Sequence, residues 1–475
     1  MFVLTNSLDE NIAFFKSTFS GDETFLTREF QSQNGSRFCL LYMDGMADLS
    51  IIANTIIMPI LQMEKHTVIN DMNILSTQIV SSGELKKSKE PMTLIDSIIR
   101  GDAVLLTEGV AEALIISCKG FKTRSIQEPE IEKTIRGPRE GFTESLITNL
   151  SLIRRKLETK DLKFKYKTLG TKSRTKACIC YIEGRADEKI LEEVNKRIDS
   201  IEIDGLFGVK FIHDLTDDSP KSIFEMTGET EKPDVLAAKL LEGRIGILLD
   251  GTPTAMTFPF IFIENFQTGE DYYTNYYSAS IRRITRILGF IVATSFPAIY
   301  LALVTYHKEA LPPPFILSIL SARQGVPFLS VVELLLLFFS FEILTEAGSR
   351  TPGYIGQSLG IVGALILGTA AVEARIVSAP MIIVVGISSV SSLMLPSIRS
   401  QIVILRLFYI IGAAVFGIYG VFLSMTVTLI HLFSLKSYGV LYMSTINSLY
   451  SKDLKDTYFR GPKWFIKRKR SGGEK

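Results

Sequence analysis

The chain has 475 residues, room for two or three structural units, with 47% hydrophobic and 21% charged residues and a formal net charge of +2. The net charge itself is uninformative about nucleic acid, but no basic stretch before the C-terminus is interleaved with stacking aromatics, which argues against such a partner. The mean hydropathy of +0.25 averages two unlike parts: a charged one before Tyr277 and a strongly apolar one after it.

The N-terminus, MFVLTNSLDENIAFF, lacks a basic n-region, a long apolar core and a small-residue cleavage site, so no export signal is expected for the first part. After a polar opening with an amphipathic helix at DENIAFFKSTF comes a clear strand, Arg37 to Met43, followed by Asp44-Gly45 and a helical apolar spacing from Ala47 to Met63. Two further strands, Asp102 to Glu108 and Glu112 to Ser117, flank Gly109 closely enough to form a β-hairpin.

Both patterns recur. Arg37 to Asp48 (RFCLLYMDGMAD) matches Lys176 to Asp187 (KACICYIEGRAD), and Gly101 to Ala113 matches Gly243 to Ala255, each at an offset of about 140 residues. This predicts an α/β cytosolic half made of two related subdomains, 1–135 and 168–283, whose repeated cores lie at about 30–135 and 168–270. Cys39, Cys118, Cys178 and Cys180 all lie in strand-like runs of this half, with no second pair or nearby histidine to complete a zinc site. Buried, reduced thiols are expected, in keeping with a cytosolic location.

Between the copies, 136–167 reads as a linker helix. Phe142, Leu146, Leu150, Ile153 and Leu157 make one apolar face, and Asn149, Arg154 and Lys156 lie on the other. Arg136 and Arg139, beside Gly137 and Pro138, fit either an anion site near a helix N-terminus or pairing with carboxylates of a neighbouring subdomain. From Pro259 to Tyr277 aromatics mix with acids ahead of Arg282, Arg283 and Arg286, a pattern suited to the cytoplasmic side of a membrane interface.

Beyond Ile284 five apolar runs follow, and at least three meet the roughly 20 residues that a helix needs to cross a hydrocarbon core. A transmembrane helical bundle is expected over 284–434, with a basic cytosolic tail over 435–475. Basic flanks at Arg282 to Arg286 and at Lys467 to Arg470 place both ends inside, which requires an even number of crossings. One of the five runs is therefore expected to be partial or re-entrant, giving about four spans, with the Glu-bearing stretch from Pro312 to Glu346 as the irregular element.

Nearly the whole chain resembles the A subunits of spore germinant receptors, the GerA family, with the stage V sporulation protein AF type as a close relative. The resemblance is carried by IRGPREGFTESLITNLSLIRRKL, KLLEGRIGILLDGTPTAMTFPFIFIENFQTGEDYY, PPPFILSILSARQGVPFLSVVELLL, FEILTEAGSRTPGYIGQSLGIVGALILG and SLKSYGVLYMS. It implies a multi-pass protein of the spore inner membrane, assembled with a multi-span B subunit and a C-subunit lipoprotein that together respond to nutrients. It also implies a homo-oligomeric ring that gates monovalent cations, with a non-conducting scaffold or accessory subunit as the alternative.

In the apolar half, Glu333, Glu342 and Glu346 are costly to leave in lipid, ~3 kcal/mol each on an insertion scale, so they should face protein or water. Glu342 and Glu346 share a helical face and fit either a carboxylate ring along an ion path or pairing with Arg323, Arg350 or Arg375. Glu333, on roughly the opposite side, suits the packing role. Gly356, Gly360 and Gly363 make the next run rich in small residues, for close helix contact or a narrow pore. His66, His213, His307 and His431 show no metal or triad spacing, and no phosphate-binding loop or dinucleotide fingerprint is present. Neither an enzyme nor a cofactor is expected.

Overall fold

The computed structural model describes residues 2–63, 72–80, 84–120, 132, 136–350, 368–444 and 458–461. In its first part, helix α1 (Leu8–Thr18) precedes strands β1 (Phe25–Gln31) and β2 (Arg37–Met43). Helix α2 (Leu49–Leu61), strand β3 (Leu85–Ser88), helix α3 (Pro91–Ile99) and strands β4 (Ala103–Thr107) and β5 (Ala113–Ile116) follow. The strands pair antiparallel in the order β1-β2-β4-β5-β3. Residues 38–43 are all buried because helices cover both faces: α1 and α3 on one, α2 on the other.

The second part repeats this plan. Helix α4 (Leu146–Lys156), strands β6 (Leu162–Leu169) and β7 (Thr175–Ile182), and helices α5 (Glu188–Asp199) and α6 (Val209–Thr216) come first. Strand β8 (Gly228–Thr230), helix α7 (Pro233–Leu241) and strands β9 (Ile245–Leu249) and β10 (Ala255–Phe258) complete it. The order is β6-β7-β9-β10-β8, the first sheet position for position. Both hairpins read from the sequence are present, β4 with β5 and β9 with β10.

Helix α4, read as a linker, packs as the first helix of the second unit, with Leu146, Leu150 and Ile153 in the core beside Phe164, Cys178 and Leu248. Its other face is covered as well, with Asn149 and Arg154 buried. The helix is sandwiched between the two units, and Arg154 crosses to the first one. Its guanidinium donates to Asp22 at 2.6 Å and to Thr24 Oγ1 at 3.0 Å, above the Phe164 ring. The four cysteines are free and buried.

The helical part begins with α8 (Tyr276–Thr305), then α9 (Pro313–Ala322), α10 (Ser330–Arg350), α11 (Ala379–Leu393) and α12 (Arg399–Ser434). Two segments, Tyr276–Thr305 and Pro396–Ser434, are long and apolar enough to cross a membrane. The second is not straight. Gly417 has φ 58° and ψ −138°, a conformation that L side chains rarely adopt, and the chain reverses there. Gly412 then lies against Gly420 and Ser424, so closely that a Cβ on Gly420 would collide with the Gly412 carbonyl. The arms 399–416 and 418–434 are each roughly 25 Å long at 1.5 Å per residue.

Contacts fix the directions of the other helices. Gly289 meets Ser391 and Met394 while Ala293 meets Ser388, so α8 and α11 are antiparallel. Ala293 meets Arg406 and Tyr306 meets Ala414, so α8 and the first arm of α12 run together. The Glu-bearing stretch read as irregular holds the short α9, a break at 323–329 and then the unbroken 21-residue α10, and a sharp reversal also lies at Gly417. The outward surface of α12 is apolar, with Phe408, Ile411, Val415, Phe416, Phe422 and Ile430 all exposed.

Candidate functional site

Two polar constellations stand out: one where the second sheet unit meets the helices, the other inside the helical part. The junction is built on acids that sequence reading assigned to a membrane interface. Glu264 is buried and accepts from Lys239 Nζ at 2.6 Å and Arg244 at 2.7 Å, anchoring its segment to α7 and the start of β9. Asp271 is fully buried, with Arg286 at 2.9 Å and Arg283 at 3.2 Å, while Arg282 faces Glu270. Burial pushes the Asp271 carboxyl up, but the Arg286 hydrogen bond and charge, a backbone N–H from Thr268 and the Arg283 charge outweigh it. The group is held below the ordinary carboxylate range. Phe262 and Phe266 pack edge-on to Phe290 of α8 and to each other, plugging the junction.

The chain then returns to this junction. After α12, the short strands β11 (Lys436–Ser437) and β12 (Val440–Leu441) form a hairpin that fastens onto the second unit. Tyr438 donates its backbone N–H to Asp218 and its hydroxyl to Thr216, lies under Arg197 and meets Phe258 edge-on. Tyr442 donates its hydroxyl to the Glu225 carbonyl, and Ser437 donates to that of Met226. His431, near the end of α12, is 3.0 Å from Ser222 Oγ. The region 435–475, read as a basic tail, thus begins with a strap. Its basic run, 464–470, lies outside the described residues.

Inside the helical part, Arg406 is buried and donates from Nε to the Ala293 carbonyl at 2.8 Å, over the Phe338 ring. Glu342 pairs with Arg399 at 3.1 Å and approaches Arg406 at 3.9 Å. Glu346 is exposed and pairs with Arg350 on its own helix at 2.6 Å. Glu333 is fully buried and accepts from the backbone N–H and hydroxyl of Ser378, with its second oxygen unbonded among the described residues. The structure therefore separates the three glutamates: Glu342 and Glu333 face protein at different heights, and Glu346 faces outward. Arg399 and Arg406, the partners of Glu342, were not among the arginines the sequence suggested. Gly356, Gly360 and Gly363 lie outside the described residues.

In the 136–149 stretch, Gly137 has φ +124° and lies against the Tyr273 ring, whose hydroxyl donates to Asp234 at 2.7 Å. Arg136 and Arg139 are exposed, and Pro138 is half-buried. The helix N-terminus offered as an anion site is taken internally, because the Leu146 N–H donates to the Asp250 carboxylate at 3.0 Å. Asn149 clamps the loop before α4, accepting from Thr143 N–H at 2.8 Å and donating to the Thr143 carbonyl. Asn11 makes the same clamp on Thr5 ahead of α1. The shared T-x-S-L-x-x-N, at 5–11 and 143–149, is the sequence signal that marks Asn149 as a scaffold residue.

Comparison with known proteins identifies the family. The family model described as Bacillus/Clostridium GerA spore germination protein matches residues 13–471. The chain belongs to the GerA family. Among its GerA relatives, spore germination protein KA of Bacillus subtilis (strain 168) is 37% identical over 97% of this chain and 86% of its own length. Spore germination protein B1 of the same organism is 35% identical over 98% of this chain and 97% of its own. A crystal structure of the N-terminal domain of the A subunit of the Bacillus megaterium spore germinant receptor GerK3 aligns with 55% of this chain and 98% of its own. It does so at 28% identity with a TM-score of 0.45.

Proposed function

We propose that this GerA-family chain is the A subunit of a nutrient-responsive germinant receptor in the spore inner membrane. Its helices cross the bilayer, its two sheet units are cytosolic, and a B subunit and a C-subunit lipoprotein complete the receptor. Copies of the chain form a ring around a gated path for monovalent cations, whose opening triggers germination. The apolar outward face of α12 supports the membrane placement, since water would penalise so large an exposed apolar surface. The observation that carries the receptor reading is the strap at 436–443. Tyr438 and Tyr442 tie the last helix to the second sheet unit, so a shift in that unit pulls directly on the bundle.

The test is spores carrying Tyr438→Ala with Tyr442→Ala. The expected outcome is normal receptor levels in the inner membrane with loss of nutrient-triggered cation release, and unimpaired release removes the coupling role. A second reading, a non-conducting scaffold or accessory subunit, is favoured by one observation: Glu342 and Glu346 are both engaged by arginines within the chain. Flux through liposomes holding the assembled receptor separates the two. Conduction that changes in Glu342→Ala/Glu346→Ala supports the ion path, and absence of any flux supports the scaffold.

A further inference from the structure

We propose that the groove between α10 and the first arm of α12 binds the acyl chain of one anionic phospholipid, with Arg399 holding its phosphate. This rests on the reading of these helices as membrane-spanning. The groove has a volume of about 490 Å³, within the range of sites that enclose a small ligand. Its walls are apolar, including Leu335, Leu336, Phe339, Val403 and Leu407, and its polar lining is Glu342 and Arg406. Leu336, Phe339 and Leu407 are exposed along it, so its mouth opens outward rather than into the bundle core.

Charge selects the headgroup. Arg399 and Arg406 face a single carboxylate, Glu342, which leaves the cluster with one surplus positive charge. Arg406 is spent inside the protein, on the carbonyls of Ala293 and Ser388. Arg399 is partly exposed and, among the described residues, bonds to Glu342 through one terminal nitrogen at 3.1 Å, which leaves guanidinium donors that a phosphate can take. Height agrees with this. Ala293 and Arg406 are level, α8 and this arm run in parallel, and seven residues back along each lie Arg286 and Arg399. Arg286 belongs to the charged junction with Asp271, where the apolar surface begins. Arg399 therefore sits at headgroup depth and the groove at acyl-chain depth.

The experiment is native mass spectrometry of the full-length chain, delipidated in detergent and offered phosphatidylglycerol and phosphatidylcholine in equal amounts. One phosphatidylglycerol per chain is expected, preferred about tenfold, the worth of one charge-assisted hydrogen bond. Arg399→Gln removes the preference. Leu407→Trp, which fills the groove and leaves the charges alone, removes retention of both lipids. Glu342→Gln raises retention of phosphatidylglycerol, a change that a merely structural role for the cluster would not produce. Equal retention of the two lipids, or retention untouched by Leu407→Trp, overturns the site. So does disulfide cross-linking of Leu407→Cys to a second copy, which would make the groove a subunit contact. Release of the wild-type chain from membranes by alkaline carbonate instead overturns the membrane reading itself, and this site with it.

Discussion

The two sheet units share one strand order and one helix-start clamp, yet the helical part engages them unequally. The second unit supplies Phe224 and Met226 to the core of the helices, holds the strap through Thr216, Asp218 and Glu225, and leads through Glu264 and Asp271 into α8. The first unit reaches the second through Arg154, which spans from α4 to Asp22 and Thr24. In the receptor reading the second copy is the one coupled to the helices, and the first is joined to it by Glu23, which bonds to Phe164 and Tyr166, by the Arg100–Glu158 pair and by the Arg154 contact, the buried bond of the set.

The largest expected effect tests that bond. Arg154→Ala strands the buried Asp22 carboxylate and should cost about 3–5 kcal/mol, read as a lower thermal midpoint of the detergent-solubilised chain. Asp22→Asn together with Arg154→Met should recover much of that loss, and failure to recover would assign the cost to packing rather than to the stranded charge. Next come the twin clamps. Asn11→Ala and Asn149→Ala should each cost about 1–3 kcal/mol and by similar amounts. If Asn149→Ala alone abolishes germination at matched stability, the equivalence fails and Asn149 has a gating role beyond its clamp.

A smaller effect is expected at Tyr442→Phe, about 1 kcal/mol for the lost bond to the Glu225 carbonyl, since the ring remains packed against Phe262. The last is a pH dependence. Asp271 has its folded pKa held below the unfolded value of about 3.9, so its contribution is fully present above that pH. It is lost as pH falls through the lower folded value. Junction stability should therefore drop in the acid range below about pH 4, and Asp271→Asn should flatten this part of the profile while lowering stability at neutral pH.

Much of the sheet architecture was legible because repetition is a signal that local ambiguity cannot erase. RFCLLYMDG and KACICYIEG announce the same strand and turn twice. The edge strands were harder: β1 (FLTREFQ) is half-exposed and polar, and was absorbed into the opening segment. The burial of Arg154 was not legible, because a charge on the polar face of an amphipathic helix ordinarily meets water and nothing local reveals that a second unit covers that face. The glutamates were legible as polar groups needing partners. Which arginines would meet them was not, because Arg399 and Arg406 are more than fifty residues away along the chain. Gly417 was hidden for a different reason. Apolar residues flank it on both sides, so a composition window sees one long run where the backbone makes two arms.

That reversal bears on how the protein is made. With Gly412 and Gly420 leaving no space between them, the two arms pack directly on each other as a matched pair. In the membrane reading they insert together, which spares each arm from entering lipid with its small-residue stripe unpartnered. A paired insertion also returns the chain to the leaflet it left. Tyr438 and Tyr442 then emerge on the same side as the already folded second unit, and the closing stitch of the molecule requires no further crossing.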